Sequence, residues 1–197
     1  MPIAKLLADD WQKLLPPLVA IGVVAWLIVF REEPDSERAL FAALLIIYML
    51  HQIEEHLWPG GFREFANAHV FRSGRDDWPV GRGGVAIVNI GMVWLPVALA
   101  VIWPVALRWL GLALVALTLV NALTHIVTSI RFRSYNPGLV TSIVLFLPFT
   151  IWVLADEAGG GQLSGPAIAW LMLAGVLLHL PVAALFVVPY RFSKPAR

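Results

Sequence analysis

Residues 109–130 read WLGLALVALTLVNALTHIVTSI, a run of 22 residues without a charged side chain. About 20 consecutive apolar residues are enough to cross the hydrocarbon core of a bilayer as an α-helix. A soluble domain rarely contains such a run, so the stretch predicts a transmembrane helix. Its most polar side chains are Asn121 and His125, and an imidazole inside a span is costly enough to suggest a function.

The rest of the chain has the same character. Of its 197 residues, 59% are hydrophobic and only 14% are charged, and the mean hydropathy is +0.79. Apolar runs between charged residues predict an all-α fold, an integral membrane bundle of six transmembrane helices that forms a single domain over residues 1–197. The predicted spans are Leu14–Phe30, Ala39–Trp58, Gly84–Ile102, Trp109–Ile130, Gly138–Ala155 and Ile168–Val188.

This composition excludes several classes of protein. A chain that lies almost entirely in the membrane has no room for a basic nucleic-acid-binding face or a soluble enzyme domain. Because the chain has no cysteine, disulfide scaffolds, thiolate metal sites and cysteine nucleophiles are excluded as well. We therefore expect membrane lipids and a lipid or other hydrophobic small molecule as partners, and no nucleic acid. The sequence leaves the oligomeric state open.

The basic residues predict the orientation of the bundle. In a six-span arrangement, 11 of the 14 Lys and Arg residues lie on the side that holds both termini. The positive-inside rule identifies that side as the cytoplasm. The same side holds the long connection between spans two and three, over residues 59–83. Apolar residues at positions 3, 7, 11 and 14 predict a short N-terminal interfacial helix before the first span.

The end of the second span places three possible metal ligands close together, in His51-Gln-Ile-Glu54-Glu55. On an α-helix, Glu54 lies about 60° to one side of His51 and Glu55 about 40° to the other, so one face presents an imidazole and two carboxylates. Adjacent carboxylates repel each other unless a proton or a metal ion lies between them. These ligand types bind zinc, iron or manganese, so the pattern predicts a divalent metal ion as cofactor.

Further polar side chains lie at a similar depth in the predicted bundle. A rise of about 1.5 Å per residue places them in the cytoplasmic half of the bilayer or near its midplane. The alternative is that such groups only form hydrogen bonds between helices. We expect a single cavity surrounded by His51, Glu54, Glu55, Asn121, His125 and His179.

These residues form two motifs that resemble those of the HXXEE-domain family, small bacterial integral membrane proteins. The family is named for H-x-x-E-E and carries a second motif, N-x-x-x-H. The resemblance implies a location in the bacterial inner membrane and raises the expectation of catalysis without defining a reaction. The matching segments are His51-x-x-Glu54-Glu55, Asn121-x-x-x-His125, EEHLWPGGF at 54–62 and YNPGLVTS at 135–142.

We expect a membrane metalloenzyme that acts on a hydrophobic or lipid-like substrate from the cytoplasmic leaflet, with hydrolysis as the favoured reaction. Glu54 is expected as a further metal ligand or as the general base, and Asn121 is expected to orient water or substrate. Three imidazoles and a water suit zinc better than iron. The other expected metal ligands are His51, Glu55, His125 and His179.

Two alternatives remain open at the level of sequence. The same ligands would suit an iron-dependent lipid or isoprenoid oxygenase or desaturase, although di-iron sites usually draw on four Glu. A proton-coupled transporter would use the residues as a relay, and a lipid-binding protein would use them without catalysis. A relay requires polar groups toward the outer face, but the outer half of span three reads WLPVALAVI.

Overall fold

The computed structural model describes residues 10–192, and within that range the chain is helical and contains no strand. A 3₁₀ turn, Trp11–Leu14, runs directly into the first helix. The helices are α1 (Trp11–Val29, including that turn), α2 (Glu37–His56), α3 (Phe62–Phe65, extended by the π-helical segment Ala66–Phe71), α4 (Arg82–Ile102), α5 (Arg108–Phe132), α6 (Leu139–Gly159), α7 (Gly165–Leu177) and α8 (His179–Phe192).

The all-α fold is confirmed. Within the described residues, α1, α4, α5, α6 and the combined segment Gly165–Phe192 are long and apolar enough to cross a membrane. Helix α2, which corresponds to the second predicted span, Ala39–Trp58, does not meet this criterion. The reason is that both ends of its 20 residues are polar or charged, with Glu37 and Arg38 at one end and His51, Gln52, Glu54, Glu55 and His56 at the other.

The predicted interfacial helix falls partly on residues 1–9, which lie outside the described part of the chain. Its remaining portion is the turn that begins at Trp11, and this turn continues into α1. The Trp11 ring is buried and makes edge contacts with the rings of His56 and Trp94. The start of α1 is thereby fixed against α2 and α4.

Helices α2 and α5 lie close together in the centre of the bundle. A Cβ atom on Gly111 of α5 would lie only 2.2 Å from the ring of Phe41 in α2. Glycine is therefore required for this close approach of the two helices. Buried apolar side chains from neighbouring helices complete this core, among them Leu44, Val97, Val115, Phe146 and Val153.

Ion pairs fix the end of α2 that lies farthest from its Glu54–Glu55 pair. The Arg108 guanidinium, at the start of α5, donates hydrogen bonds to both Glu37 and Glu157. The three side chains are only 10–31% exposed. They therefore join α2, α5 and α6 at one end of the bundle and help to set the register of α2 against α5.

The connection between α2 and α4 has more structure than the sequence indicated. It contains α3 and is organised around the buried side chain of Asn67. The Asn67 amide donates to the carbonyl groups of Asp76 (2.8 Å) and Val80 (3.1 Å), and its Oδ1 accepts from the Val80 N–H (2.9 Å). The connection therefore forms a folded cover at the end of the bundle where α2 carries its Glu54–Glu55 pair.

The last predicted span, Ile168–Val188, is divided at Leu178 into α7 and α8. Pro181 has no N–H to donate to the preceding turn, which favours a break here. The His179 Nδ1 atom lies 2.8 Å from the Gly175 carbonyl oxygen. No residue of α8 is buried, although Tyr190 donates a hydrogen bond of 2.6 Å to the Phe71 carbonyl in the α2–α4 connection.

Candidate metal centre

Three buried side chains meet where α2 and α5 face each other. Helix α2 presents His51 and Glu55 one turn apart, and α5 presents His125 toward them. The Nε2 atom of His51 lies 3.5 Å from Glu55 Oε1, and that of His125 lies 3.3 Å from the same oxygen. One ligand atom from each residue lies within 4.8 Å of the other two. We call these three residues the His–Glu–His cluster.

The distances from the two imidazoles to Glu55 fit a shared metal ion better than direct hydrogen bonds. A charge-assisted hydrogen bond between imidazole and carboxylate is about 2.7–2.9 Å long. Ligand atoms about 2.0–2.2 Å from a tetrahedral zinc ion lie roughly 3.3–3.6 Å apart. The two distances to Glu55 are in the second range. In addition, His51 Nε2 is buried without a hydrogen-bond partner, a deficit that a metal ion would remove.

Hydrogen bonds behind His51 determine which of its nitrogens carries the proton. The Thr141 hydroxyl donates to Glu54 Oε2 (2.5 Å), and its oxygen lies 2.8 Å from His51 Nδ1. Because the Thr141 hydroxyl donates its single hydrogen to Glu54, its oxygen can only accept a hydrogen bond from His51, and this bond comes from Nδ1–H. The Nε2 atom then keeps its lone pair, which is the form that a metal ligand requires.

Glu54 is placed differently from its expected position as a ligand or base. Besides the Thr141 hydroxyl, its carboxylate accepts hydrogen bonds from the Tyr135 hydroxyl (2.5 Å) and from the N–H groups of Val140 (2.9 Å) and Thr141 (2.7 Å). Burial and the bond to Glu54 raise the pKa of Tyr135 above its usual value, so the phenol stays protonated as a donor. Both Glu54 oxygens therefore hold the start of α6, and Glu54 is outside the cluster.

The loop before α6 also confines the two imidazoles. Gly138 has a left-handed φ of 103°, and a Cβ atom there would lie 2.6 Å from His125 Cε1 and 2.7 Å from His51 Cε1. The Phe146 ring stacks on His51 with 4.2 Å between ring centroids. The rings of the cluster are therefore held by close packing as well as by hydrogen bonds.

Asn121 and His179 lie near the cluster without belonging to it. Both line an apolar cavity of about 310 Å³, which Glu55 and His125 also line. The Asn121 Oδ1 atom is buried without a hydrogen-bond partner, so it is available to a ligand in this cavity. His179 instead bonds to the Gly175 carbonyl. Four of the six residues expected around one cavity thus line it, whereas His51 and Glu54 do not.

A buried amide network beside Glu55 includes residues that the sequence analysis missed. Gln52 donates to Asn89 Oδ1 (2.8 Å) and accepts from Trp94 Nε1 (2.7 Å). Asn89 Nδ2 lies 3.1 Å from His56 Nε2, and that nitrogen lies 3.6 Å from Glu55 Oε2. For Gln52, the only signal in the sequence was its position between His51 and Glu54. The network positions His56 near Glu55 Oε2, whereas His51 and His125 lie near Oε1.

Glu55 lies between two cavities of different character. One is the apolar cavity described above, and the other has about 430 Å³ and several charged lining residues. Three lining residues, Glu55, Phe62 and Val85, belong to both. The carboxylate of the cluster can therefore be reached from a polar side and from an apolar side.

Comparison with known proteins identifies the family. A family model for proteins of unknown function with an HXXEE motif matches residues 42–153. This match covers more than half of the chain and includes the whole His–Glu–His cluster, so the chain belongs to the HXXEE family, as its two motifs predicted. No curated protein and no solved structure matches the chain.

Proposed function

We propose that this member of the HXXEE family is an inner-membrane metalloenzyme that hydrolyses a lipid-like substrate at a site for one metal ion, with zinc favoured. The proposed ligands are His51, Glu55 and His125. The observation that carries this proposal is the buried Nε2 lone pair of His51, which Thr141 fixes and which lies 3.5 Å from the Glu55 carboxylate.

The ligand set agrees with hydrolytic chemistry. Two histidines and one glutamate hold the catalytic zinc of several hydrolases and leave a position open for water. When bound, zinc lowers the pKa of that water to about 7 and polarises a carbonyl or phosphoryl oxygen. The chain itself supplies Asn121 Oδ1 to orient the substrate. His56 lies beside Glu55 and lines the polar cavity, where it can take up and return a proton.

One metal ion is favoured over two. Di-iron carboxylate sites typically use four Glu and two His. The cluster contains one carboxylate, because the Glu54 carboxylate accepts hydrogen bonds from N–H groups at the start of α6 instead. Two histidines and one carboxylate also form the ligand set of mononuclear iron(II) oxygenases. An iron-dependent lipid oxygenase, which needs dioxygen and a reductant, is therefore the second candidate.

Helix α2 is proposed as a further membrane span, which brings the total to six and places both termini of the chain in the cytoplasm. The charged groups that lower its hydropathy have partners within the protein. Glu37 pairs with Arg108, and Glu54 accepts four hydrogen bonds. Polar groups inside a membrane require such internal partners, so these contacts support a membrane-crossing α2.

Activity assays on the reconstituted full chain test the proposal. Metal-free, zinc-loaded and iron-loaded protein in liposomes is incubated with long-chain esters, amides and phosphoesters, and mass spectrometry detects the products. We expect hydrolysis that requires zinc, is lost in His125→Ala and is kept in His69→Ala, a control histidine that lines neither cavity. Oxygen consumption by the iron-loaded protein with hydroxylated or desaturated product would support the second candidate. Metal-loaded protein with no turnover of any kind would contradict an enzymatic function.

A further inference from the structure

We infer that the substrate is a single-chain amphiphile with an anionic head group, bound with its alkyl chain in the apolar cavity and its head group in the polar cavity. This inference rests on the proposed metal site, because it makes the bond near Glu55 the reacting bond. It follows from the position of Glu55 between the two cavities and from their different linings.

The apolar cavity has the lining that an alkyl chain requires. Phe65, Val88, Val182 and Phe186 are among its wall residues. Burial of a methylene group contributes about 0.8 kcal/mol, so an unbranched chain gains affinity with each carbon that enters. Because this is one compartment of about 310 Å³, it suits one chain rather than the two chains of a bilayer phospholipid.

The polar cavity is lined by equal numbers of basic and acidic residues, namely Lys13, Arg63 and Arg82 against Asp10, Glu55 and Glu64. Lys13 pairs with Asp10 at 2.6 Å and Arg63 with Glu64 at 3.2 Å. Arg82, which also lines this cavity, forms no ion pair within residues 10–192. An arginine without an acidic partner matches the geometry of a phosphate or carboxylate group. With Glu55 assigned to the metal site and the other two acids paired, Arg82 is the charge that remains for a ligand among the described lining residues, so we expect an anionic head group.

The bond that joins head group to chain lies at the junction beside Glu55 in this arrangement. For an ester, the hydroxyl of water bonds to the acyl carbon and the carbon–oxygen bond to the head group breaks. The proton of the water ends on the released head-group oxygen, so the reaction needs no oxidant or reductant. The products are a fatty acid on the apolar side and a charged, water-soluble head group on the polar side.

Binding of a non-hydrolysable probe tests the inference. Binding of radiolabelled tetradecylphosphonate, whose carbon–phosphorus bond is not hydrolysed, is measured on the zinc-loaded full chain in lipid nanodiscs, and binding to empty nanodiscs is subtracted. We expect competition by unlabelled tetradecylphosphonate, and little competition by tetradecanol or inorganic phosphate, each of which resembles only one half of the probe.

Two pairs of variants assign the halves of the probe to the cavities. Arg82→Gln should weaken binding about fivefold or more, whereas Arg131→Gln, an exposed arginine that lines neither cavity, should not. Ala183→Trp should weaken binding about tenfold by filling the apolar cavity, whereas its neighbour Ala184→Trp, outside that cavity, should not. Val182→Phe is a second filling variant in case Ala183→Trp does not fold.

The outcomes separate this inference from the proposed function. Metal content is measured on the same samples. Metal-loaded protein that binds tetradecanol as tightly as tetradecylphosphonate, or that responds equally to each variant and its control, would overturn the inference while the metal site stands. Metal-free protein after exposure to zinc and iron would overturn the proposed function itself.

Discussion

The Nδ1 atom of His51 lies 2.8 Å from the Thr141 hydroxyl oxygen, although the two residues are 90 positions apart in the chain. This contact links the H-x-x-E-E motif of α2 to the start of α6. Through Thr141 it also links His51 to Glu54. Partners of this kind orient metal-bound histidines and increase their basicity.

Loss of the Thr141 hydroxyl should weaken metal binding. Thr141→Val keeps the shape of the side chain but removes the acceptor for His51 Nδ1–H, so we expect an affinity for zinc about 10–100-fold lower. Thr141→Ser should restore most of the affinity because it restores the hydroxyl. Competition with a zinc-binding dye measures both. Thr150→Val is the control, since Thr150 is buried in the same helix but bonds only to backbone carbonyls of its own helix. Equal affinity in the wild type and Thr141→Val would show that the contact has no part in metal binding.

Gly138→Ala should disrupt the cluster. The added methyl group meets both imidazoles at 2.6–2.7 Å, so the rings must move, and overpacking of this kind costs about 1–3 kcal/mol. The matched control is Gly61→Ala, because Gly61 has a similar φ of 94° but its Cβ position lies 3.9 Å from the nearest atom, in Pro137. Thermal unfolding and metal content measure the two effects. If Gly61→Ala loses as much metal as Gly138→Ala, backbone strain rather than contact with the imidazoles explains the loss.

His179→Ala should retain the metal ion, in contrast to His125→Ala. His179 was one of the ligands expected from sequence, but it bonds to the Gly175 carbonyl at the break between α7 and α8. The measurement is metal content per chain by mass spectrometry, with both variants purified without chelators. Loss of metal in a normally folded His179→Ala variant would contradict this prediction and identify His179 as a metal ligand.

Arg108→Leu should lower stability without changing metal content. It removes the partner of both Glu37 and Glu157, which are partly buried. Loss of hydrogen bonds to charged groups at such a site costs about 1–3 kcal/mol. Arg31→Leu is the control, since Arg31 and Glu32 are 78% and 79% exposed and exposed pairs contribute little. Chemical unfolding in detergent measures the difference. No difference between the variants would show that the Arg108 pairs do not stabilise the bundle.

Much of the site could be predicted from sequence because it depends on local spacing. His51 and Glu55 are four residues apart, so any α-helix brings them to one face. Asn121 and His125 share a face of α5 for the same reason. The apolar runs predicted six spans, and five of them correspond to helices that are long and apolar enough to cross a membrane within the described residues.

The roles of Glu54 and His179 could not be predicted, because they depend on contacts between distant segments. Glu54 and Glu55 lie at similar angles from His51, and only the 135–141 loop distinguishes them by binding Glu54. The helix break at Leu178 places the His179 side chain against the Gly175 carbonyl. The cover over residues 59–81 depends on Asn67, a single buried amide that has no recognisable pattern in the sequence.

The most direct test of the central claim compares Glu55→Gln with Glu54→Gln. The two residues are adjacent and the chemical change is the same, so only their contacts differ. We measure bound metal per chain by mass spectrometry after exposure to saturating zinc. The account predicts that Glu55→Gln loses the metal ion, whereas Glu54→Gln still binds one equivalent, with an affinity about 10–100-fold lower because its hydrogen bonds to the α6 loop are weakened. Full metal content in folded Glu55→Gln, or loss of metal only in Glu54→Gln, would contradict the account.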